Sequence, residues 1–265
     1  MLWQTKVDKL KIKDYFSKVA LSYDFYAHLQ KRWANHLVSK IGKGKNVPCR
    51  VLDIGMGTGG LTLKLAKIFP QALIFGCDLA SGMVECAKEK ARKNGIKKVE
   101  FIEADFEYLP YFDCFFDLVI SNVAFQWALD IDRAFNEAYR VLNKGGDFYL
   151  TLLGQNSLKE LREALERINP ASFSEHKFFK EEDIYLLMKN KPWQRFNVEK
   201  RVKKVAFKDI LFCLKWLKAI GANYGIKLKA DGLALGKQIF SLRKLYPKQF
   251  YLTFEIFYVW GENKL

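Results

Sequence analysis

Apolar residues recur along the chain with two different periods. Between residues 50 and 154, short apolar runs alternate with longer segments in which apolar positions recur every three or four residues. The short runs predict buried strands over 50–55, 72–78, 98–105, 116–122 and 146–154. The longer segments predict helices over 60–70, 81–95 and 131–146, the last of them ended by Gly145. This alternation is typical of an α/β, doubly wound parallel sheet, whose strands bring their carboxyl ends to one ligand-binding edge.

The flanking segments have a different pattern. Helical spacing extends over 8–41, before the first strand, and an amphipathic segment predicts a helix over 157–169. Residues 171–199 are polar and aromatic without a strand signal, so we expect 154–199 to form a helical cap inserted over the sheet edge. The last part of the chain predicts a strand, two helices and a final strand over 201–207, 208–221, 232–246 and 251–261.

The segments are expected to form one domain. No linker poor in apolar residues separates them, and 265 residues are enough for one α/β domain with an appendage. We therefore expect a single domain over 1–265. Its parts are a helical region, a cofactor-binding core, the cap and a group of C-terminal strands and helices, over 1–45, 46–153, 154–199 and 200–265.

Composition excludes several classes of protein. With 50% hydrophobic and 15% aromatic residues, the composition is not that of an intrinsically disordered chain. No run of 18 apolar residues predicts a membrane span, and the lysine-rich N-terminus lacks the apolar segment of a signal peptide. The five cysteines are scattered without a CxxC pair, which indicates neither a disulfide framework nor a metal site. We expect a reducing, cytoplasmic setting.

Positive charge is concentrated at the two ends of the sequence. The net charge is +15, yet residues 46–190 hold 18 Lys and Arg against 21 Asp and Glu. Residues 1–45 hold 10 basic residues against 3 acidic ones, and residues 191–265 hold 16 against 5. Basic ends of this kind attract an acidic partner, whether protein, nucleic acid or anionic membrane. A lysine-rich but merely solvated surface is the alternative.

A glycine-rich turn, DIGMGTGG, follows the first predicted strand. Glycines let the backbone approach a ligand closely, and the helix that follows offers N–H groups to an anion. Gly55 and Gly57 satisfy the GxGxxG dinucleotide fingerprint together with Gly60. Together with Gly59 they satisfy the GxGxG form that binds S-adenosylmethionine. Asp78 ends the second strand, where an acid accepts hydrogen bonds from ribose hydroxyls in either case.

Polar residues also stand at the ends of the third and fourth strands. The sequence EADF closes the third strand at 103–106, and SN closes the fourth at 121–122. This order of acids and polar residues resembles class I S-adenosylmethionine-dependent methyltransferases over most of the chain. The resemblance implies a Rossmann-like, seven-stranded sheet whose last strand is antiparallel.

The same resemblance implies S-adenosylmethionine as the cofactor and assigns its parts to residues. Asp78 is expected to bind the ribose, and Asp105 and Phe106 are expected to bind the adenine. The other expected cofactor contacts are Gln30, Asp53, Gly55, Gly57, Gly59, Leu79, Met83, Asn122 and Ala124.

The segment SNVAFQW, at 121–127, resembles the SNxxxQW signature of the malonyl-acyl-carrier-protein O-methyltransferases of biotin synthesis. The N-terminal helix, the segment TLLGQNSLKEL after the fifth strand and the late elements IGAN and LTFE resemble the same family. The resemblance implies methylation of the free carboxylate of a malonyl thioester on an acidic acyl carrier protein. Because a carboxylate is already ionised at neutral pH, positioning and exclusion of water suffice without a general base.

Three residues are candidates for contacts with the reacting groups. Tyr23, in the N-terminal helical region, is expected to gate the cofactor, and Gln126 lies within the SNxxxQW signature. Lys177 stands where the family tends to have arginine, and it is the candidate for the substrate carboxylate. A lysine there offers a point charge in place of a bidentate fork. Two other departures, Met56 in the glycine turn and Ala128 after the signature, are expected to have little effect.

Other functions are compatible with the same fold. The acceptor can be another carboxylate or a small molecule, or the chain can be a non-methylating hydroxylase or assembly factor. A nucleic-acid methyltransferase is disfavoured because SNVA is not an NPPY-type motif, so we expect no nucleic acid as partner. The scattered cysteines lead us to expect no metal either. A nicotinamide dehydrogenase is disfavoured because nothing after the fifth strand resembles a second nucleotide-binding half.

Overall fold

A seven-stranded sheet forms the centre of the computed structural model, which describes residues 8–42, 47–169, 178–222 and 232–264. The strands are β1 (Arg50–Ile54), β2 (Leu73–Asp78), β3 (Val99–Glu103), β4 (Phe116–Asn122), β5 (Leu142–Leu153), β6 (Trp193–Phe207) and β7 (Phe250–Asn263). The helices are α1 (Lys9–Tyr26), α2 (His28–Ser39), α3 (Gly60–Ile68), α4 (Ser81–Lys93), α5 (Ile131–Arg140), α6 (Lys159–Glu166), α7 (Glu181–Lys189), α8 (Ile210–Ala219) and α9 (Gly232–Leu245).

The sheet has the order β3-β2-β1-β4-β5-β7-β6. The first five strands pair in parallel, and β7 runs antiparallel to both of its neighbours, β5 and β6. This confirms the predicted doubly wound, Rossmann-like sheet with an antiparallel last strand. The strand order reverses between β1 and β4, and such a switch point opens a crevice at the carboxyl ends of the strands.

Each face of the sheet packs against its own layer of helices. Val51 and Leu52 are neighbours in β1 and point to opposite faces, so they belong to different apolar cores. The core that contains Val51 includes residues of α2, α3, α6 and α8, such as Trp33, whose ring centroid lies 5.4 Å from that of Phe254 in β7. The core that contains Leu52 includes residues of α5 and α7.

The predicted helical region over 8–41 consists of two helices that meet at Ala27. Asp8 caps α1, because its side chain accepts hydrogen bonds from two N–H groups of the first turn. Farther along α1, the Ser17 hydroxyl accepts a hydrogen bond from the Gly82 N–H of α4 at 3.3 Å. Helix α1 therefore crosses the start of α4 beside the crevice. Among the described residues, no helix combines the length and apolar character needed to cross a bilayer.

The predicted helix over 131–146 is wrong at its C-terminal end. Helix α5 ends at Arg140, and β5 begins two residues later at Leu142, which pairs with Phe116 of β4. The pairing then skips to Asp147, and Gly145 takes a positive φ of 69° in the intervening bulge. Gly145 therefore marks an irregularity in a strand and not the end of a helix.

The expectation that 171–199 holds no strand is also wrong. Strand β6 already begins at Trp193 and pairs with β7 along its whole length. It is the edge strand of the sheet, and most of its side chains are intermediate or exposed, so its sequence carries little apolar signal. Its lysines and arginines are typical of edge strands, because they discourage pairing with another chain.

Candidate active site

The turn after β1 is shaped by its glycines. Gly55, Gly57 and Gly59 have φ values of 66°, 55° and 76°, in the left-handed region that glycine adopts most readily. The Gly55 and Met56 N–H groups both donate to the Cys77 carbonyl oxygen of β2, at 2.9 and 3.0 Å. A Cβ on Gly55 would lie only 2.3 Å from Cβ of Ala124, so the turn packs directly against the segment after β4.

Asp78 is held in a fixed orientation beside this turn. One carboxylate oxygen accepts the Gly57 N–H at 2.8 Å, and the other accepts the Ala80 N–H at 2.9 Å. Burial raises the pKa of Asp78 to about 6, although the two N–H donors oppose this shift. The carboxylate keeps further lone pairs, so it can accept hydrogen bonds from ligand hydroxyls.

Asp53 lies deeper, below the glycine turn. It is only 1% exposed, and its Oδ2 accepts the hydroxyl of Thr62 at 2.7 Å. Burial raises the pKa of Asp53 to about 7. Asp53 lines a smaller hollow that shares Tyr23, Gln30 and the glycine turn with the main cleft.

The main cleft lies at the switch point and encloses about 1140 Å³, its open mouth included. It brings together most of the residues that the sequence predicted. Those lining it are Tyr23, Gln30, Gly55, Gly57, Asp78, Leu79, Met83, Asp105, Phe106, Asn122, Ala124 and Gln126. Gly59 instead packs against α4, where an added Cβ would lie 2.8 Å from Cβ of Ala87. Lys177 lies outside the described residues, so its contact with a substrate stays a prediction.

One end of the cleft carries an acidic and aromatic group. Asp105 and Phe106 follow β3, and the Phe106 ring stacks on Phe125 with centroids 5.2 Å apart. Lys9 of α1 reaches this end, with Nζ 2.5 Å from Asp105 Oδ2 and 2.8 Å from Glu107 Oε1. The sequence pattern gives no sign that Lys9 lines the cleft, because no local periodicity relates α1 to residues nearly a hundred positions away.

Tyr23 is positioned by its neighbour Asp24. The Asp24 carboxylate accepts the Thr58 hydroxyl at 2.7 Å and forms an ion pair with Lys90, so it joins the end of α1 to the glycine turn and α4. The Tyr23 ring then lies over Gly57, 3.9 Å from the place of an added Cβ. Burial and the nearby Asp78 and Asp24 carboxylates raise the pKa of Tyr23. Tyr23 is therefore protonated at neutral pH and is not a general base.

Three amide side chains surround the middle of the cleft. Asn122 accepts the Thr151 hydroxyl at 2.8 Å and donates to the Gln30 carbonyl oxygen at 3.1 Å, so it ties α2 to β4 and β5. The side-chain oxygens of Gln30 and Gln126 are buried without a hydrogen-bond partner among the described residues. Buried polar atoms are normally paired, so these two amides are suited to a polar ligand in the cleft.

The other end of the cleft is apolar. It is lined by residues of α2, β5, α8 and β7, by the segments that follow β4 and α8, and by Leu158 and Phe178. Phe16 of α1 and Trp127 meet edge to face there, with ring centroids 5.4 Å apart. The described residues of this apolar half are Trp33, Val123, Trp127, Leu153, Leu158, Phe178, Trp216, Leu217, Ile220, Ala222 and Phe254. None of these side chains titrates near neutral pH.

Comparison with known proteins identifies the family. A family model described as "Methyltransferase domain" matches residues 51–146, which hold the glycine turn, Asp78 and Asn122. The malonyl-[acyl-carrier protein] O-methyltransferase of Geobacter sulfurreducens is 32% identical over 249 residues, which are 92% of each chain. This chain belongs to the malonyl-acyl-carrier-protein O-methyltransferase family. A member from Ilyobacter polytropus is 31% identical, over 92% of this chain and 88% of its own.

The solved structures that resemble this member of the malonyl-acyl-carrier-protein O-methyltransferase family support the fold. The YcgJ protein from Bacillus subtilis superposes with a TM-score of 0.63, at 18% identity, over 89% of this chain and 99% of its own. A phosphoethanolamine N-methyltransferase from Haemonchus contortus, in complex with S-adenosyl-L-methionine, gives 0.62 at 18% identity, over 94% of this chain and 57% of its own. The predicted class, an S-adenosylmethionine-dependent methyltransferase, is confirmed.

Proposed function

We propose that this chain transfers the methyl group of S-adenosylmethionine to the free carboxylate of a malonyl thioester on acyl carrier protein. The relatives from Geobacter and Ilyobacter are named for this reaction, and a 31% identical relative from Teredinibacter turnerae is named a biotin biosynthesis bifunctional protein. One observation carries the proposal beyond these names. The described part of the apolar half offers no base, so it suits an acceptor that is already ionised.

The rest of the cleft, which contains Gly55, Gly57, Asp78, Asp105 and Asn122 and which we name the polar half, fits the cofactor. Asp78 would accept the ribose hydroxyls, and Asp105 beside Phe106 would take the adenine, for which Lys9 must give up part of its contact with Asp105. Asp53 and the unpaired Gln30 oxygen lie beside the glycine turn, where they suit the ammonium group of the methionine part. When bound, the cofactor supplies an electrophilic methyl group on a positively charged sulfur.

The remaining residues orient the acceptor and exclude water. Tyr23 closes the cleft above Gly57, and Gln126 offers its unpaired side-chain oxygen to a hydrogen-bond donor of the substrate. A malonyl carboxylate loses much of its hydration between the aromatic side chains of the apolar half, which makes it a better nucleophile. The chain therefore contributes alignment and a dry cavity, and no proton has to move.

Truncating Tyr23 tests its role as a gate. We expect Tyr23→Ala to lower kcat by about 10- to 100-fold, because the cleft opens to water and alignment is lost. Tyr23→Phe keeps the ring and should stay within a few-fold of the native rate. The melting temperature should fall by less than about 4 °C, which corresponds to roughly 1 kcal/mol in a chain of this size. Tyr26→Ala, on the same helix but outside the lining, is the matched control. Lost stability with normal turnover would assign Tyr23 to packing alone.

The carrier is proposed to dock beside α8. Trp216 and Leu217 of this helix line the cleft, whereas Lys215 and Lys218 are exposed on it. They belong to the basic C-terminal part of the chain, which suits an acidic protein, and paired charges across such a surface steer association. We expect Lys215→Glu with Lys218→Glu to raise KM for malonyl carrier protein about tenfold at low salt. Malonyl-coenzyme A should be affected much less.

Mass spectrometry tests both the reaction and the docking. Purified protein and S-adenosylmethionine are incubated with malonyl carrier protein, malonyl-coenzyme A or free malonate. A single added methyl on the carrier-bound malonyl group, formed much faster than on malonate, is the expected result. Lys144→Glu, at an exposed position near the start of β5, is the control for charge reversal. Bound cofactor without methyl transfer to any acceptor would favour another carboxylate or a non-methylating role.

A further inference from the structure

A hydrogen-bonded network lies directly behind the apolar half of the cleft. Four lining residues, Leu153, Leu158, Phe178 and Phe254, form what we name the acceptor wall. Each of them is adjacent in sequence to a residue of this network. The adjacent network residues are Gly154, Ser157, Phe179 and Glu255. The network also contains the segments that resemble the family over TLLGQNSLKEL and LTFE, to which the proposed reaction gives no role.

Glu255 is the centre of the network. It is only 3% exposed, and its carboxylate accepts hydrogen bonds from the backbone N–H and the side-chain amide of Asn156 at 3.1 and 3.2 Å. Its backbone carbonyl accepts the Gly154 N–H at 2.7 Å, and its N–H donates to the Ser157 hydroxyl oxygen at 3.0 Å. Glu255 thus fixes the 154–157 turn against β7, between Leu153 and Leu158.

Glu160 completes the same connection from the side of α6. Its carboxylate accepts the N–H of Thr253 at 2.9 Å and the hydroxyl of Thr253 at 2.5 Å. The Leu158 N–H in turn donates to the Thr253 carbonyl oxygen at 2.8 Å. Leu158 has a φ of 58°, which a leucine adopts only when its surroundings hold it there. Glu160 and Thr253 supply such surroundings.

The segment just before α7 joins this network through its backbone. The Phe179 N–H donates to the Leu153 carbonyl oxygen at 3.0 Å, and the Gln155 N–H donates to the Phe179 carbonyl oxygen at 2.9 Å. Lys200 of β6 lies 3.2 Å from Glu255 Oε1 and 3.0 Å from Glu181 Oε2 at the start of α7. The segment that carries Phe178 is therefore fixed to the same turn as Leu153 and Leu158.

We propose that Glu255 and Glu160 are positioning residues that set the shape of the acceptor wall and thereby select the length of the acyl group. Glu255 acts through the 154–157 turn and Glu160 acts through Thr253 and Leu158, and neither acts through contact with substrate. The polar half of the cleft is held by different hydrogen bonds, those of Asp78 with the Gly57 and Ala80 N–H groups. Changes at the two glutamates should therefore alter acceptor binding without altering cofactor binding. This inference rests on the proposed carboxyl methylation.

Steady-state kinetics of Glu255→Gln and Glu160→Gln test the inference. We expect KM for malonyl carrier protein to rise about tenfold and the preference for malonyl over succinyl carrier protein to fall at least about fivefold, because both changes loosen the wall. The dissociation constant of S-adenosylhomocysteine should stay within about twofold. Glu262→Gln is the matched control, since Glu262 lies in β7 like Glu255 but pairs with Arg195 near the start of β6. Unchanged selectivity with a lower melting temperature would overturn the inference.

Hydrogen exchange separates this inference from the proposed reaction. In both variants, we expect faster amide exchange over 153–160 and 178–184 than in the native protein, with no change over 55–60 and 78–83. This readout needs no acceptor, so it holds even if native protein fails to methylate malonyl carrier protein, a failure that would overturn only the proposed function. Native-like exchange over 153–160 in Glu255→Gln and Glu160→Gln would overturn the positioning role. Asn156→Ala, which removes one donor to Glu255, should give a smaller increase of the same kind.

Discussion

Replacing Asp78 with alanine is expected to raise the dissociation constant for S-adenosylhomocysteine by at least about 100-fold. A hydrogen bond to a charged group contributes about 1.5–3 kcal/mol, and the carboxylate is placed to accept two from a ribose. Losing both corresponds to roughly 3 kcal/mol or more, which is a factor of at least about 100. The variant also frees the Gly57 and Ala80 N–H groups, so the glycine turn loses an anchor. Isothermal titration calorimetry measures the effect directly.

The titration of Asp78 gives this prediction a pH dependence. With a pKa of about 6 in the free protein, Asp78 is mostly protonated at pH 5 and mostly ionised at pH 7. Ligand hydroxyls favour the ionised form, so affinity should weaken about tenfold from pH 7 to pH 5. Asp78→Asn should remove most of this dependence. Asp113→Ala, an exposed carboxylate near β4, is the control and should change neither affinity nor its pH profile.

The free energy of unfolding of the cofactor-free protein should depend on pH in the opposite direction. The folded-state pKa values of Asp78 and Asp53 are raised to about 6 and about 7, above the value of 3.8 for an unperturbed aspartate. The folded protein therefore holds protons that the unfolded chain has already released. The contribution of these two groups to stability should decrease as pH rises from about 4 to about 8, through both folded-state pKa values, and then level off. For the affinity prediction, a dissociation constant for S-adenosylhomocysteine that is equal at pH 5 and pH 7 would show that the Asp78 carboxylate does not accept hydrogen bonds from the ligand.

The sequence predicts the polar half of the cleft because sequence order and position are linked there. Parallel strands end at one edge, so residues that follow β1, β2, β3 and β4 converge whatever the details of packing. Asp78, Asp105 and Asn122 can therefore be assigned to one site from their places after the strands alone. The same argument explains why the alternation of strands and helices over 50–122 agrees with the observed elements, apart from small shifts at their ends.

Contacts between distant segments are not predictable in this way. Lys9 meets Asp105, and Glu255 meets Asn156, through the packing of whole elements that no local periodicity encodes. The first part of strand β6 escapes prediction because an edge strand needs few apolar residues. The start of β5 escapes prediction because Val141 and Leu142 continue the apolar pattern of α5 into the sheet. In each case tertiary packing outweighs local preference.

Gly55→Ala is expected to give the second large loss of cofactor affinity, because it alters the backbone of the glycine turn in the polar half of the cleft. An alanine at a φ of 66° costs about 1–2 kcal/mol. Its Cβ would also lie 2.3 Å from Cβ of Ala124, and relieving such overpacking typically costs roughly 1–3 kcal/mol more. We expect a loss of about 2–5 kcal/mol in the free energy of unfolding and cofactor affinity reduced by more than about 100-fold.

Gly60→Ala is the matched control for this substitution. Gly60 begins α3 five residues later, has no positive φ, and an added Cβ would meet nothing within 4 Å. That variant should bind S-adenosylhomocysteine normally and be more stable by about 0.5–1 kcal/mol, because alanine restricts the unfolded chain. Gly55→Ala combined with Ala124→Gly removes the overlap but keeps the backbone strain, so it should recover part of the stability. Normal affinity in Gly55→Ala would show that the turn adapts to a side chain, and that the close approach of Gly55 to Ala124 is not needed for cofactor binding.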